Sequence, residues 1–146
     1  MKTIRRAAAG DLCRIAEIEI FNYRLNFYPI FQSDAFYFGE LQVSSVMADD
    51  ASALEEFWVY DDGVVKGFMR VKDDEIKKLF VEPVLQGQGI GAKLLSFAME
   101  ELMARQLWAL EKNTRAIAFY QRHGFNVTQD KRLEEDTTEY LVRLER

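Results

Sequence analysis

The chain has one cysteine, Cys13, and one histidine, His123, among its 146 residues. A single cysteine cannot close an internal disulfide, so a disulfide-held framework is excluded. On the face of a first helix Cys13 reads as a small buried apolar residue. His123 falls at a helix end beside Gly124, where the negative end of the helix dipole favours it without any catalytic role. No metal ion is expected. No apolar run reaches the 18 or so residues of a membrane-spanning helix, and no signal peptide is visible, so the expectation is a cytoplasmic protein without a membrane partner. Positive charge is also in short supply. With 19 Lys and Arg against 24 Asp and Glu, the net charge is −5, which argues against nucleic acid, whose phosphates call for clustered Lys and Arg. An acidic balance of this kind inclines instead towards cationic partners such as amines. Internal repeats and low-complexity segments are absent as well.

What is present suits one domain spanning residues 1–146, since 49% hydrophobic and 13% aromatic residues are enough for a full core at this length. Thr3 to Arg6 reads as a first strand. It leads through Asp11, placed as a cap, into a helix with Leu12, Ile15, Ile18 and Leu25 on one face. Residues 27–38 are dense in aromatics and interrupted by Pro29 and by Gln32-Ser33-Asp34; they read as a broken helix and loop that either lines a pocket or fills a core. Phe57 to Tyr60 and Val64 to Val71 flank Asp61-Asp62-Gly63, a strong hairpin signal. After a polar turn at Lys72-Asp73-Asp74, the strand Glu75 to Val81 continues the meander. Gln106 to Glu111 is a buried strand beyond a long helix, and a strand-helix-strand passage makes its two strands parallel neighbours. Asn113 to Phe125 is a compact helix capped by Asn113 or Thr114 and ended by Gly124. Phe125 to Gln129 and Glu139 to Leu144 then pair around a charged loop, Asp130 to Thr138.

The most informative stretch runs from Leu79 to Leu95. Gly87, Gly89 and Gly91 remove side chains where the chain turns into a helix whose apolar stripe is Ile90, Leu94, Leu95, Ala98 and Leu102. A helix N-terminus with free amides and an outward dipole is a ready anion site, and glycines let a phosphate approach the backbone. Gly87-x-Gly89-x-x-Ala92 also fits the dinucleotide fingerprint. That turn follows its strand directly, however, whereas five residues including Pro83 separate Val81 from Gly87. A P-loop is excluded because Lys93 does not follow its glycine and no Ser or Thr comes next.

Gln86-x-x-Gly89-x-Gly91 after Val81-Glu82-Pro83, followed by Asn113-x-x-Ala116-Ile117-x-Phe119-Tyr120-x-x-x-Gly124-Phe125, resembles the GNAT family of acetyl-coenzyme A dependent N-acetyltransferases. The resemblance is close from about Ile76 to Phe125. It implies an α/β (α+β) fold with a mixed, mostly antiparallel central sheet, one parallel splayed strand pair and flanking helices. It further implies that the backbone of Gly87, Gln88, Gly89, Ile90, Gly91 and Ala92, with Gln86 leading in, holds the pyrophosphate of coenzyme A. The main chain of Leu79, Phe80 and Val81 would pair with the pantetheine, one of those amides stabilising the oxyanion. Asn113 would bond the pantetheine arm as well as cap its helix. Tyr120 matches the family tyrosine that protonates the leaving thiolate. Glu75, eleven residues before Gln86, stands where some relatives carry a general base. Relatives that keep an acid on the later strand have it where this chain has Trp108.

The function so implied is direct acetyl transfer from acetyl-coenzyme A to a primary amine of a small molecule or a protein. A non-catalytic acetyl-coenzyme A sensor is the alternative, and a nucleotide-binding module the third. Monomer and homodimer both fit the sequence, and residues 22–56 carry no recognisable acceptor signature.

Overall fold

The computed structural model describes residues 3–146. Seven strands form one sheet: β1 (Ile4–Arg6), β2 (Phe57–Asp61), β3 (Val65–Lys72), β4 (Glu75–Val81), β5 (Gln106–Leu110), β6 (Asn126–Leu133) and β7 (Tyr140–Glu145). Their order across the sheet is β1-β2-β3-β4-β5-β7-β6. Every neighbouring pair is antiparallel except β4 with β5, which is the mixed architecture expected. The β2–β3 turn closes where Gly63, at φ 122°, donates its N–H to Asp61 Oδ1 at 2.9 Å, a local bond that competes with further strand.

Helices cover both faces. Helix α1 (Leu12–Asn22) and, after the short α2 (Tyr28–Phe31), helix α3 (Val43–Ala51) lie on one face; α4 (Ile90–Glu100) and α5 (Thr114–Arg122) lie on the other. The alternation of strand side chains builds both layers. Phe68 packs with Ile15 and Ile18 of α1, while its neighbour Met69 packs with Leu94 and Leu95 of α4. Each fully buried side chain of this size contributes about 1.5–3 kcal/mol.

Two irregularities shape β4. Arg70 faces Lys78 but Val71 faces Ile76, so Lys77 is an extra residue, a bulge that inverts the alternation. Ile76 therefore packs on the α4 side and Lys78, two residues on, turns to α1. The parallel pairing with β5 then stops after Glu75↔Gln106 and Ile76↔Leu107, whereas β5 stays bonded to β7 as far as Leu110↔Leu141. From Leu79 onwards β4 has parted from β5. A gap opens between them.

Four sequence expectations need correction. Cys13 is exposed, because the buried stripe of α1 runs through Leu12, Ile15, Ala16 and Glu19 and leaves it on the outer side. Asp11 does not cap α1. The chain is already turning as a 3₁₀ helix from Ala9 to Asp11, so its carboxylate reaches back to the N–H of Ala8 at 2.8 Å and to Arg5 at 2.8 Å, and the Arg5 guanidinium holds it below the usual carboxylate range. Leu25 is 51% exposed, since Tyr23–Phe27 winds as a π-helical turn and the wider turn rotates the face out of register. Finally, β6 runs on to Leu133 through an irregularity between Val127 and Lys131. It is the last strand of the sheet, where charged side chains are the ordinary protection of an edge.

Candidate active site

The gap between β4 and β5 separates two cavities that share a wall. The smaller, about 410 Å³, is lined by the glycine loop and the first turn of α4 together with Leu79, Phe80 and Val81. Gly87 and Gly89 have φ 85° and 83°, a left-handed conformation open to glycine and costly for other residues. A side chain at either would meet nothing within 4 Å, so it is the left-handed backbone and not crowding that calls for glycine there. Gly89 is the N-cap of α4, with no side-chain bond to the first amides; those N–H groups and the helix dipole point outward, an arrangement suited to an anion. Arg115 and Arg122 of α5 line the same cavity and add positive charge.

The larger cavity, about 700 Å³, lies on the other side of Phe80 and is walled by Tyr23, Phe27, Phe31, Phe36 and Tyr37. The residues from Phe27 to Phe38 thus form a broken helix, as expected, built from the π-helical turn Tyr23–Phe27, α2 and a second π-helical turn over Ala35–Glu40. They act both as core and as lining: Tyr37 is buried among Ala16, Ile20 and Val46 yet reaches the cavity. Glu134, Glu135 and Asp136, from the β6–β7 turn, line it too, as do Glu40, Lys77 and Lys78, so the aromatic lining is joined by four acids and two lysines.

Both cavities touch Leu79, Phe80, Asn113, Ala116 and Tyr120. Asn113 caps α5, its Oδ1 accepting the Ala116 N–H at 3.3 Å. Tyr120, about two helical turns further along, is packed against Phe119 and Phe125, and burial pushes its phenol well above the usual value. Its hydroxyl consequently holds its proton through the physiological range, at the junction of the two spaces.

Two of the expected residues are not brought there. Gln88 is exposed and lies outside the lining of both cavities. Glu75 is also outside both; it sits at the paired end of β4, opposite Gln106, with its carboxylate 3.2 Å from Lys77 Nζ. The strands part at the other end, so a base at the start of β4 faces away from the gap.

Sequence reasoning passed over Asn22. Its side chain is buried, and its Nδ2 donates to Ile18 O and to Val81 O, both at 2.9 Å. Gln86 Nε2 donates to Asn22 Oδ1 at 3.1 Å and to Val81 O at 3.3 Å. The Val81 carbonyl, past the end of β5 pairing, is satisfied by these two amides, and the end of β4 and the start of the glycine loop are fastened to α1. A polar residue on the buried stripe of a helix was the available signal.

A family model for the acetyltransferase (GNAT) domain matches residues 53–127, just over half of the chain. Peptidyl-lysine N-acetyltransferase YjaB of Salmonella typhimurium is 37% identical over a stretch covering 42% of this chain and 43% of that protein. An uncharacterised N-acetyltransferase of Archaeoglobus fulgidus is 45% identical over 36% of this chain and 40% of its own length. The chain thus aligns with less than half the length of these relatives. Among solved structures, the apo form of YjaB from Escherichia coli superposes with a TM-score of 0.77 at 24% identity, covering 97% of this chain and 95% of that one. PaiA N-acetyltransferase of Thermoplasma acidophilum, solved with coenzyme A, gives 0.69 at 17% identity over 98% of both chains. These likenesses extend the agreement in fold beyond the matched segment. The glycine loop, the parted strands and the Asn113–Tyr120 helix fall within the matched residues, and the chain belongs to the GNAT acetyltransferase family.

Proposed function

We propose that this protein is an N-acetyltransferase that passes the acetyl group of acetyl-coenzyme A directly to a primary amine. The observation that carries this reading is the junction: a cavity built for a phosphate-bearing ligand and an aromatic, acid-edged cavity meet at Tyr120 and the open edge of β4. The residues fit the coenzyme. Left-handed glycines with open space before them and the free first turn of α4 suit a pyrophosphate, and a β4 edge without a strand partner suits the amide-bearing pantetheine arm. Acetyl-coenzyme A supplies the acetyl group as an activated thioester. A main-chain N–H from Leu79 to Val81 would polarise its carbonyl oxygen, Asn113 would steady the pantetheine arm, and Tyr120 would give its proton to the departing thiolate.

The acceptor side favours a cation. Aromatic faces attract ammonium groups, and the three acids of the β6–β7 turn add a complementary field. The name of the Salmonella relative supports a lysine side chain as the acceptor class. We place this chemistry in the cytoplasm, on one domain. A thiol-release assay with acetyl-coenzyme A over lysine peptides, polyamines, amino acids and aminoglycosides tests the reading. Thiol release is expected to depend on amine, and to be fastest with lysine-bearing or polycationic acceptors. Tight coenzyme binding with no amine-dependent release across the panel would overturn it in favour of a sensor.

A further inference from the structure

Below the floor of the aromatic cavity lies a charged cluster to which neither the family motifs nor the mechanism above assigns a part. Glu19 of α1 and Asp50 of α3 are 2% and 1% exposed, and Lys78 Nζ of β4 stands 2.6 Å from Glu19 Oε2 and 3.2 Å from Asp50 Oδ1. The Tyr23 hydroxyl donates to the same Glu19 Oε2 at 2.6 Å. Glu19 Oε1 and Asp50 Oδ2 have no hydrogen-bond partner among the described residues. Two buried carboxylates share one ammonium, so the cluster is one positive charge short of neutrality. Burying a net charge is costly, and the cluster has a standing demand for one proton. Tyr23 and Lys78 are its two members that line the cavity.

An acceptor amine meets the complementary problem, since it arrives as an ammonium and cannot attack until it has lost a proton. We propose that the Glu19–Asp50–Lys78 cluster, reached through the Tyr23 hydroxyl, takes the proton that the acceptor ammonium sheds. This assignment rests on the acetyl-transfer reading above. In the step, an N–H bond of the ammonium breaks and its proton bonds to the Tyr23 oxygen, leaving the electron pair on nitrogen. The original Tyr23 proton moves along the existing hydrogen bond to Glu19 Oε2. Charge balances: the amine goes from +1 to neutral and the cluster from −1 to neutral. Tyr23 touches the acceptor, and Glu19 acts through it as a positioning residue and proton store.

The titration has the right sense. Burial raises the Glu19 carboxyl to about 7, Lys78 opposing and Asp50 adding to the rise. The groups facing it are Lys78 from β4, Asp50 from α3 and Tyr23 from the π-helical turn that follows α1; Tyr37 faces Tyr23. Above neutrality Glu19 is ionised and can accept a proton, and below it the site is already filled. For stability the sign is opposite. Between the ordinary carboxylate value of about 4.3 and about 7, the folded chain holds a proton that the unfolded chain releases, so stability falls as pH rises through that window.

The test compares wild type, Glu19→Gln and Tyr23→Phe on two probes, a lysine-bearing peptide and methoxyamine, which is already the free base at neutral pH and has no ammonium proton to shed before it attacks. For the peptide, wild-type kcat/KM is expected to rise with pH and level off just above neutrality. In both variants that plateau should disappear, the rate climbing on towards the lysine value of about 10.4. At pH 7.5 the ratio of kcat/KM for peptide over methoxyamine should drop by about 10²-fold. Glu19→Gln should also flatten the decline of Tm between pH 5 and pH 8. A purely fastening role for the cluster predicts lowered Tm with an unchanged pH profile and an unchanged ratio, and either result in a folded variant would overturn the proposal. If Glu19→Gln fails to fold, Tyr23→Phe carries the test, because it keeps the ring and all three charges. Wild type that turns over neither probe would overturn the acetyl-transfer reading itself, a different failure from variants that match an active wild type.

Discussion

Tyr120→Phe is expected to lower kcat by about 10²-fold, the low end for loss of a general acid because a coenzyme A thiol is itself a good leaving group. Affinity for acetyl-coenzyme A should barely move. The ring that packs against Phe119 and Phe125 is retained, so the substitution removes one hydroxyl and leaves the surrounding packing alone. That hydroxyl is held protonated by burial, which suits a group that gives up its proton only when a thiolate develops beside it. A loss confined to kcat, with KM unmoved, marks an interaction made only in the transition state. Steady-state kinetics with single-turnover rates would separate chemistry from product release. A chemical step within a factor of about two of wild type would remove Tyr120 from acid catalysis, since a lost general acid costs far more.

Gly89→Val should weaken coenzyme binding by more than about 1 kcal/mol, or roughly fivefold and upward in Kd. Two effects act together. Valine at φ 83° occupies a region that costs a non-glycine residue about 1–2 kcal/mol, so the loop shifts or its bound form is strained. Its side chain also enters the space where a phosphate would meet the first amides of α4. The strain should show as a lowered Tm, the intrusion as a further loss of affinity in the folded protein. Gly10→Ala is a useful control, for Gly10 has no positive φ and open space around it, and it should bind coenzyme as wild type does. Calorimetric titration with coenzyme A would measure both. Equal affinity for the valine variant would take the glycine loop out of the site.

What could be read from the sequence was mostly local. Asp61-Asp62-Gly63 closes its hairpin with one bond across two residues, Gly87 and Gly89 sit where the backbone turns left-handed before α4 while Gly91 lies in its first turn, and Asn113 caps its own helix. The signals that failed depend on distant partners. Asn22 is a site residue because it reaches Val81, and Glu19 is notable because it meets Lys78, each across 59 positions. The π-helical turn that turns Leu25 outward has no clear signature in residues 23–27. Glu75 matched by spacing along the chain, but the extra residue at Lys77 and the end at which β4 leaves β5 are facts of pairing, and they put the functional end of that strand at Leu79–Val81. The charged residues of β6 suggested a loop because an exposed edge strand and a loop draw on the same polar composition.

The most direct measurement is an amide chemical-shift map of the labelled protein titrated with acetyl-coenzyme A, then with a lysine-bearing peptide. The coenzyme should perturb Gly87 to Ala92, Leu79 to Val81 and Asn113 to Tyr120 as one saturable set, and the peptide should then perturb Tyr23, Phe31 and Tyr37, with Tyr120 responding to both. Saturable coenzyme shifts confined to other surfaces, such as the β2–β3 hairpin, or peptide shifts that never reach Tyr120, would contradict a site at the junction of the two cavities.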